Sequence, residues 1–334
     1  METPQPLCAR ILDGVAQTFV GDRILLRKML SGALANGHIL FEDHPGLGKT
    51  LLVKAFARSI GCDFKRVQFT PDLLPGDILG TSVWLAREER FELAKGPVFT
   101  NILLADEINR APPKTQSALL EAMEERQVTL EGETHELPDP FFVLATQNPL
   151  EQEGTYPLPE AQLDRFLLRL SSGYPRDIES ETEILRRRLG WKRDDPTRDI
   201  KPIVDVAGFR RMQDEVEDKV YVHPALLVYM SRIVRGVREH PHVSAGPSPR
   251  GNLALLRLSR AHAYIMGRNF VTPDDVKPFV EDALAHRIVL DVERVLEGAE
   301  ERAVVREVLD KTETPLRFGA EGKEAPSAPG KKAT

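Results

Sequence analysis

Two cysteines, Cys8 and Cys62, are all that the 334 residues hold, so no disulfide framework is available and a reducing compartment fits. No apolar run approaches the roughly 18 residues that a membrane-spanning helix needs. Residues 1–10 lack the apolar stretch of a signal peptide, and the expectation is a soluble, cytoplasmic protein. A surplus of positive charge is missing as well. Lys and Arg number 45 against 51 Asp and Glu, a net charge of −6 that argues against a protein coating nucleic acid. What is present suits a packed core: 41% hydrophobic and 29% charged residues, on a length that accommodates about two domains.

The chain is organised around residues 39–50. Ile39, Leu40 and Phe41 read as a buried strand, a tight turn passes through Pro45, Gly46, Leu47 and Gly48, and Lys49, Thr50 and Leu51 open a helix. Strand, glycine turn and helix start form a phosphate cradle, because backbone N–H groups and the helix N-terminus converge on an anion. Lys49 would then reach β- and γ-phosphates and the Thr50 hydroxyl would ligate Mg²⁺. The pattern wants glycine at position 43, where Asp43 stands. Aspartate is among the few residues that tolerate turn conformations without being glycine.

A second landmark is the run 102–107. Four apolar residues predict a strand buried on both faces, with Asp106 and Glu107 at its carboxyl end, where open α/β sheets hold ligands. Asp106 suits a Mg²⁺ shell and Glu107 suits activation of an attacking water, the alternative being a strand end with a helix-capping acid. Asn148 closes another apolar strand, 141–145; it either bonds the γ-phosphate and the attacking water or simply forms the turn before Pro149. Arg165 is either an arginine inserted into a neighbour's site or a surface partner of Asp164 or Glu160. Arg250 opens a helix from which it could face the phosphates. Val20 and Gly21, between helices expected at 7–20 and 24–34, are candidates for the adenine pocket, with core packing as the competing reading.

Alternation predicts hairpins at about 82–93 and 128–137, the first pairing Trp84 with Phe91 in ordinary cross-strand packing. Beyond Gly173 helical spacing dominates, with helices expected at 176–189, 205–217, 223–239, 249–265, 273–287 and about 298–310. Residues 313–334 read as a disordered tail. His240 and His242 lack ligand-spaced partners and read as loop surface.

Together these landmarks resemble the AAA+ ATPases and, within them, the MoxR family. The likeness covers about residues 7–312 and is most specific over residues 69–78, 101–116 and 153–166. It implies an α/β P-loop NTPase core with a parallel sheet between helices (1–173), followed by an all-α lid (174–312). By the same likeness Gly46, Gly48, Lys49 and Thr50 stand as Walker A, Asp106 and Glu107 as Walker B, Asn148 as sensor 1, Arg165 as arginine finger and Arg250 as sensor 2, in cis or in trans. Arg110 is a further interface candidate. The hairpins become the helix-2 insert and the pre-sensor-1 insert. The resemblance further implies ATP and Mg²⁺ as ligands, a homo-oligomer in the form of a hexameric ring, chaperone-like remodelling of a client, and a partner with a von Willebrand factor A domain. Two other classes stand beside it. One is a nucleic-acid-dependent ring motor using Lys65, Arg66, Arg87 and Arg90, which the acidic balance disfavours; the other is a nucleotide-gated scaffold without turnover.

Overall fold

The computed structural model describes residues 4–86, 89–149, 154–192 and 195–315, so the expected tail falls outside the described residues beyond position 315. Two amphipathic helices, α1 (Pro4–Ala16) and α2 (Arg23–Leu34), precede β1 (Ile39–Glu42). Asp22 caps α2 through its carboxylate, which accepts the Ile24 N–H at 2.8 Å. Then follow α3 (Lys49–Ser59), β2 (Phe64–Gln68), α4 (Pro75–Leu79), the hairpin β3 (Gly80–Leu85) and β4 (Arg90–Lys95), and β5 (Ile102–Asp106). A 3₁₀ turn (Ile108–Arg110) leads into α5 (Pro113–Glu125), the hairpin β6 (Gln127–Leu130) and β7 (Glu133–Glu136), β8 (Phe142–Gln147), α6 (Glu160–Leu163) and β9 (Leu168–Leu170).

The five-stranded sheet has the order β2-β5-β8-β1-β9, and every pairing is parallel. Side chains alternate across it, so each strand feeds both faces. Ile39, Phe41, Ile102, Leu104, Phe142 and Leu144 join one buried cluster, while Leu40, Leu103, Ala105, Val143 and Ala145 join another under α5. Burial on both sides is why these strands are nearly all apolar. Trp84 and Phe91 do pair across their hairpin, ring centroids 5.0 Å apart, and both stay exposed at 50% and 69%.

After β9 the chain is helical: α7 (Ile178–Trp191), α8 (Val206–Lys219), α9 (Pro224–Arg238), β10 (Val243–Ala245), α10 (Pro249–Ile265), α11 (Pro273–Val276), α12 (Val280–Leu284), β11 (Val289–Leu290), α13 (Val292–Leu296) and α14 (Glu301–Lys311). Two details differ from expectation. The segment is not wholly helical, since β10 and β11 form an antiparallel ribbon. The helix expected at 273–287 is broken by a 3₁₀ turn at Lys277–Phe279, where Pro278 supplies no N–H to continue the α-helical ladder. Helices α8–α12 and α14 pack into the same cluster as α1–α3, so the lid's core is continuous with one face of the sheet, while α13 stays exposed.

His38 is buried between the two layers. Its Nδ1 accepts the Val143 N–H at 3.0 Å, which leaves Nε2 to donate to Met123 O at 3.0 Å, so the ring is neutral. Burial, followed by the nearby Arg126, holds its pKa well below 6.5. The unfolded chain therefore takes up a proton near pH 6.5 that the folded chain refuses, and stability falls as pH drops below that value. Thermal melts should show this fall between about neutral pH and about pH 5. His38→Asn should be less stable at neutral pH yet show a flatter acid slope; an unchanged slope would contradict the assignment.

Candidate functional site

The turn between β1 and α3 bends through Gly46 (φ 85°) and Gly48 (φ 75°), left-handed conformations that favour glycine. Gly48 is the residue before the first turn of α3, so the unpaired N–H groups of Lys49 and Thr50 open toward the turn. The Lys49 side chain folds back over the loop and donates to His44 O at 2.7 Å. Burial lowers its pKa, while Asp43, Asp106 and Glu107 act in the opposite sense. The ammonium thus stands within the electrostatic reach of all three acids.

A cleft of about 910 Å³ opens beside this turn, a size in the usual range for small-ligand sites. Val20, Gly21, Pro45, Gly46, Leu47, Gly48 and Leu51 line it, together with Ser171–Asp177, Ile184, Asp282 and Arg302 from beyond β9. Asp43 explains itself in three dimensions. It is buried, and its carboxylate accepts from Ser171 Oγ (2.6 Å), Ser172 N (2.8 Å) and Ser172 Oγ (2.8 Å). Its φ is not in the left-handed region, so glycine is not required there. The aspartate ties the start of the glycine turn to the segment that follows β9.

Asp106 and Glu107 sit at the carboxyl end of β5, across β8 from the glycine turn. Asp106 Oδ1 accepts from Thr146 Oγ1 at 2.6 Å, and Oδ2 accepts from Arg66 Nε (3.0 Å) and Nη2 (2.7 Å). Glu107 has φ 57°, unusual for a residue other than glycine. Its carboxylate accepts from Gln68 Nε2 at 2.7 Å and pairs with Arg110 Nε at 3.0 Å. Arg110 is thus engaged inside its own subunit. Asn148 follows β8 and is buried beside Asn109, whose Nδ2 reaches the Asn148 carbonyl at 3.5 Å. Gln68 and Thr146 escaped the sequence reading, and Arg66 entered it only as a cation of the nucleic-acid alternative; the only signal for this role was their place at strand ends beside the acids.

Arg165 and Arg250 lie elsewhere. They share a second depression of about 420 Å³, none of whose lining residues lines the first. Glu124 holds both, pairing with Arg165 Nε at 3.3 Å and with Arg250 Nη2. Arg165 Nη1 also donates to Leu120 O at 2.6 Å. Asp164 pairs with Arg287 at 3.2 Å and approaches Arg250 at 3.8 Å. Arg250 therefore lines a different depression from the glycine-turn cleft, and the arginines from beyond β9 that line the cleft are Arg176 and Arg302. The cations of the nucleic-acid reading are depleted, since Arg66 is committed to Asp106 and Arg90 pairs with Glu92 at 3.1 Å. Arg87 lies outside the described residues.

The comparisons with known proteins agree with this geometry. Residues 38–168 match the model of the "ATPase family associated with various cellular activities (AAA)", and residues 235–308 match that of the AAA lid domain. The chain is 46% identical to YeaC of Bacillus subtilis over 96% of its own length and 98% of that protein. It is 43% identical to the chaperone MoxR1 of Mycobacterium tuberculosis, over 92% of this chain and 82% of that one. Among solved structures, one from Cytophaga hutchinsonii named as an ATPase superposes with a TM-score of 0.86 at 40% identity, covering 94% of this chain and 96% of that one. No helix among the described residues is long and apolar enough to cross a membrane.

Asp43→Ala would strand the Ser172 N–H and both serine hydroxyls. Ser171 is exposed and Ser172 half-buried, so water can take over part of these bonds and the cost falls at the lower end of the ~1–3 kcal/mol of a stranded donor. Urea denaturation should show a loss of that size, with Asp43→Asn intermediate. A midpoint unchanged in Asp43→Ala would contradict the anchoring role.

Proposed function

This chain belongs to the MoxR family of AAA+ ATPases, and from that premise we propose that it hydrolyses magnesium-bound ATP in the glycine-turn cleft to drive chaperone-like remodelling of client proteins. The observation that carries the proposal is the convergence of the Gly46–Thr50 turn with Asp106 and Glu107 at one edge of the sheet, with Asn148 just past the end of the strand between them. Lys49 and the first N–H groups of α3 bind the phosphates. Val20 and Gly21 stand in the same cleft, where an adenine would pack. The donor set fits magnesium: Thr50 lies in the first turn of α3, and the Asp106 carboxylate, held by Thr146 at Oδ1 and by Arg66 at Oδ2, supplies the anionic oxygens. Thr50 and Asp106 would hold the ion, which when bound neutralises charge on the β- and γ-phosphates. Gln68 and Arg110 hold Glu107, which leaves them to take the proton of an attacking water. Asn148 orients that water and the γ-phosphate.

Arg165 and Arg250 form a pair that faces away from their own cleft, an arrangement that supports action in trans on a neighbouring subunit. Their placement fits a homo-oligomeric ring, hexameric as the family resemblance implies, in which hydrolysis depends on assembly. We divide the chain into an ATPase core at 1–173 and a lid at 174–312, with the hairpins at 82–93 and 128–137 directed to the client. MoxR1 is named as a chaperone, which supports the same role here. A partner with a von Willebrand factor A domain and a cytoplasmic location complete the proposal.

Removing a general base costs about 10²- to 10⁴-fold in turnover. Glu107→Gln should therefore bind ATP but release phosphate at least about 100-fold more slowly, while Lys49→Ala should lose binding itself. Arg165→Ala should lose turnover by about 10³-fold or more and keep ATP affinity. Mixing Arg165→Ala with Lys49→Ala subunits should restore part of the activity, since each supplies what the other lacks. Full hydrolysis by Glu107→Gln would remove it from the base role, and no complementation on mixing would place Arg165 in cis.

A further inference from the structure

Thr146 is the second-last residue of β8, two before Asn148, and is 2% exposed. Pairing of Ala105 with Ala145 sets it level with Asp106 on the neighbouring strand. Its hydroxyl has one proton and two lone pairs, and two of these three capacities are spent on the two acids. The proton goes to Asp106 Oδ1 at 2.6 Å, and one lone pair accepts the Glu107 N–H at 2.8 Å. That N–H belongs to the left-handed residue just after β5 ends, at φ 57° and ψ 50°.

We propose that Thr146 is a positioning residue that sets the geometry of both acids at once. Thr146 engages Oδ1 while Arg66 engages Oδ2 at 2.7 Å, so the Asp106 carboxylate is fixed in its plane and a hydrated metal ion that displaces Arg66 would meet a preset oxygen. By engaging the Glu107 N–H it pins the left-handed turn from which the Glu107 carboxylate is aimed. Arg66 and Gln68 steady the outer ends of the same two carboxylates. A branched residue at this strand position has restricted χ1, so the hydroxyl is held in one direction. Thr146 acts only through its neighbours. The inference rests on the nucleotide–magnesium reading of the cleft.

Valine at 146 keeps the shape and removes the hydroxyl, leaving one donor and one acceptor unmet. Losing a hydrogen-bond partner of a metal-binding side chain typically costs about 10- to 100-fold in metal affinity or activity. The test uses the full chain, with Mn²⁺ as the probe read by electron paramagnetic resonance in the presence of ADP. Thr146→Val should weaken Mn²⁺ binding by about 10- to 100-fold, with metal-free ADP affinity unchanged. At saturating Mg²⁺ and ATP its kcat should stay depressed, because the Glu107 turn is loosened whatever the metal occupancy. Thr146→Ser restores the hydroxyl and should return both readouts toward wild type. Thr146→Ala, with the same loss at smaller volume, should repeat the metal-specific defect and serves if the valine variant does not fold. Wild-type Mn²⁺ affinity and kcat in Thr146→Val, or a serine variant as weak as valine, would overturn the proposal alone. A wild-type protein whose ADP complex takes up no Mn²⁺ would instead overturn the nucleotide–metal reading, and this inference with it.

Discussion

β8 runs between β1 and β5, in parallel register with both, and the site depends on that pairing. Glu42 lies level with Gln147 and Ala105 level with Ala145, so the glycine turn, Asn148 and the two acids leave the sheet at one edge. A strand slipped by one residue would send every side chain to the opposite face. The two buried clusters oppose it through volume: Phe142 and Leu144 fill one face, the smaller Val143 and Ala145 the other, and an exchange would overpack one layer and leave voids in the other. Hydrophobic packing on both faces thus fixes the spacing of polar groups at the edge.

Lys49, both acids and both arginines are already braced by protein partners. Lys49 leans on its own loop carbonyl, Asp106 on Thr146 and Arg66, Glu107 on Gln68 and Arg110, and Arg165 and Arg250 on Glu124. Such bracing limits side-chain freedom before any ligand arrives, so less ordering remains to be done on binding. On the proposed reading, ligand and neighbour would exchange partners with the protein: phosphate would take Lys49 from His44 O, and a neighbour's phosphate would take the arginines from Glu124. Asp43 extends the coupling to the segment that follows β9 through Ser171 and Ser172.

Much of this was legible from residue order because the signals are local. Apolar runs of four or five residues gave the strands, the paired glycines gave the cradle, and carboxylates at a strand end gave the acids. What was hidden is long-range. Asp43 reads as a missing glycine until its partner Ser171, 128 positions away, is brought to it. Thr146 reads as an ordinary strand residue, and only the β5–β8 register makes it a bridge between two acids. Whether Arg250 serves its own cleft or a neighbour's stayed open in the sequence, because the path of the lid helices cannot be inferred from their periodicity. The break at Pro278 was visible but outweighed by a helical pattern on either side.

The central claim is that the turn and the acids form one magnesium-dependent triphosphate site. Isothermal titration of the wild-type chain with ATP, with and without Mg²⁺, tests it directly. The account predicts saturable binding that tightens when Mg²⁺ is present. Heat-silent titrations in both conditions, under concentrations that support assembly, would contradict it.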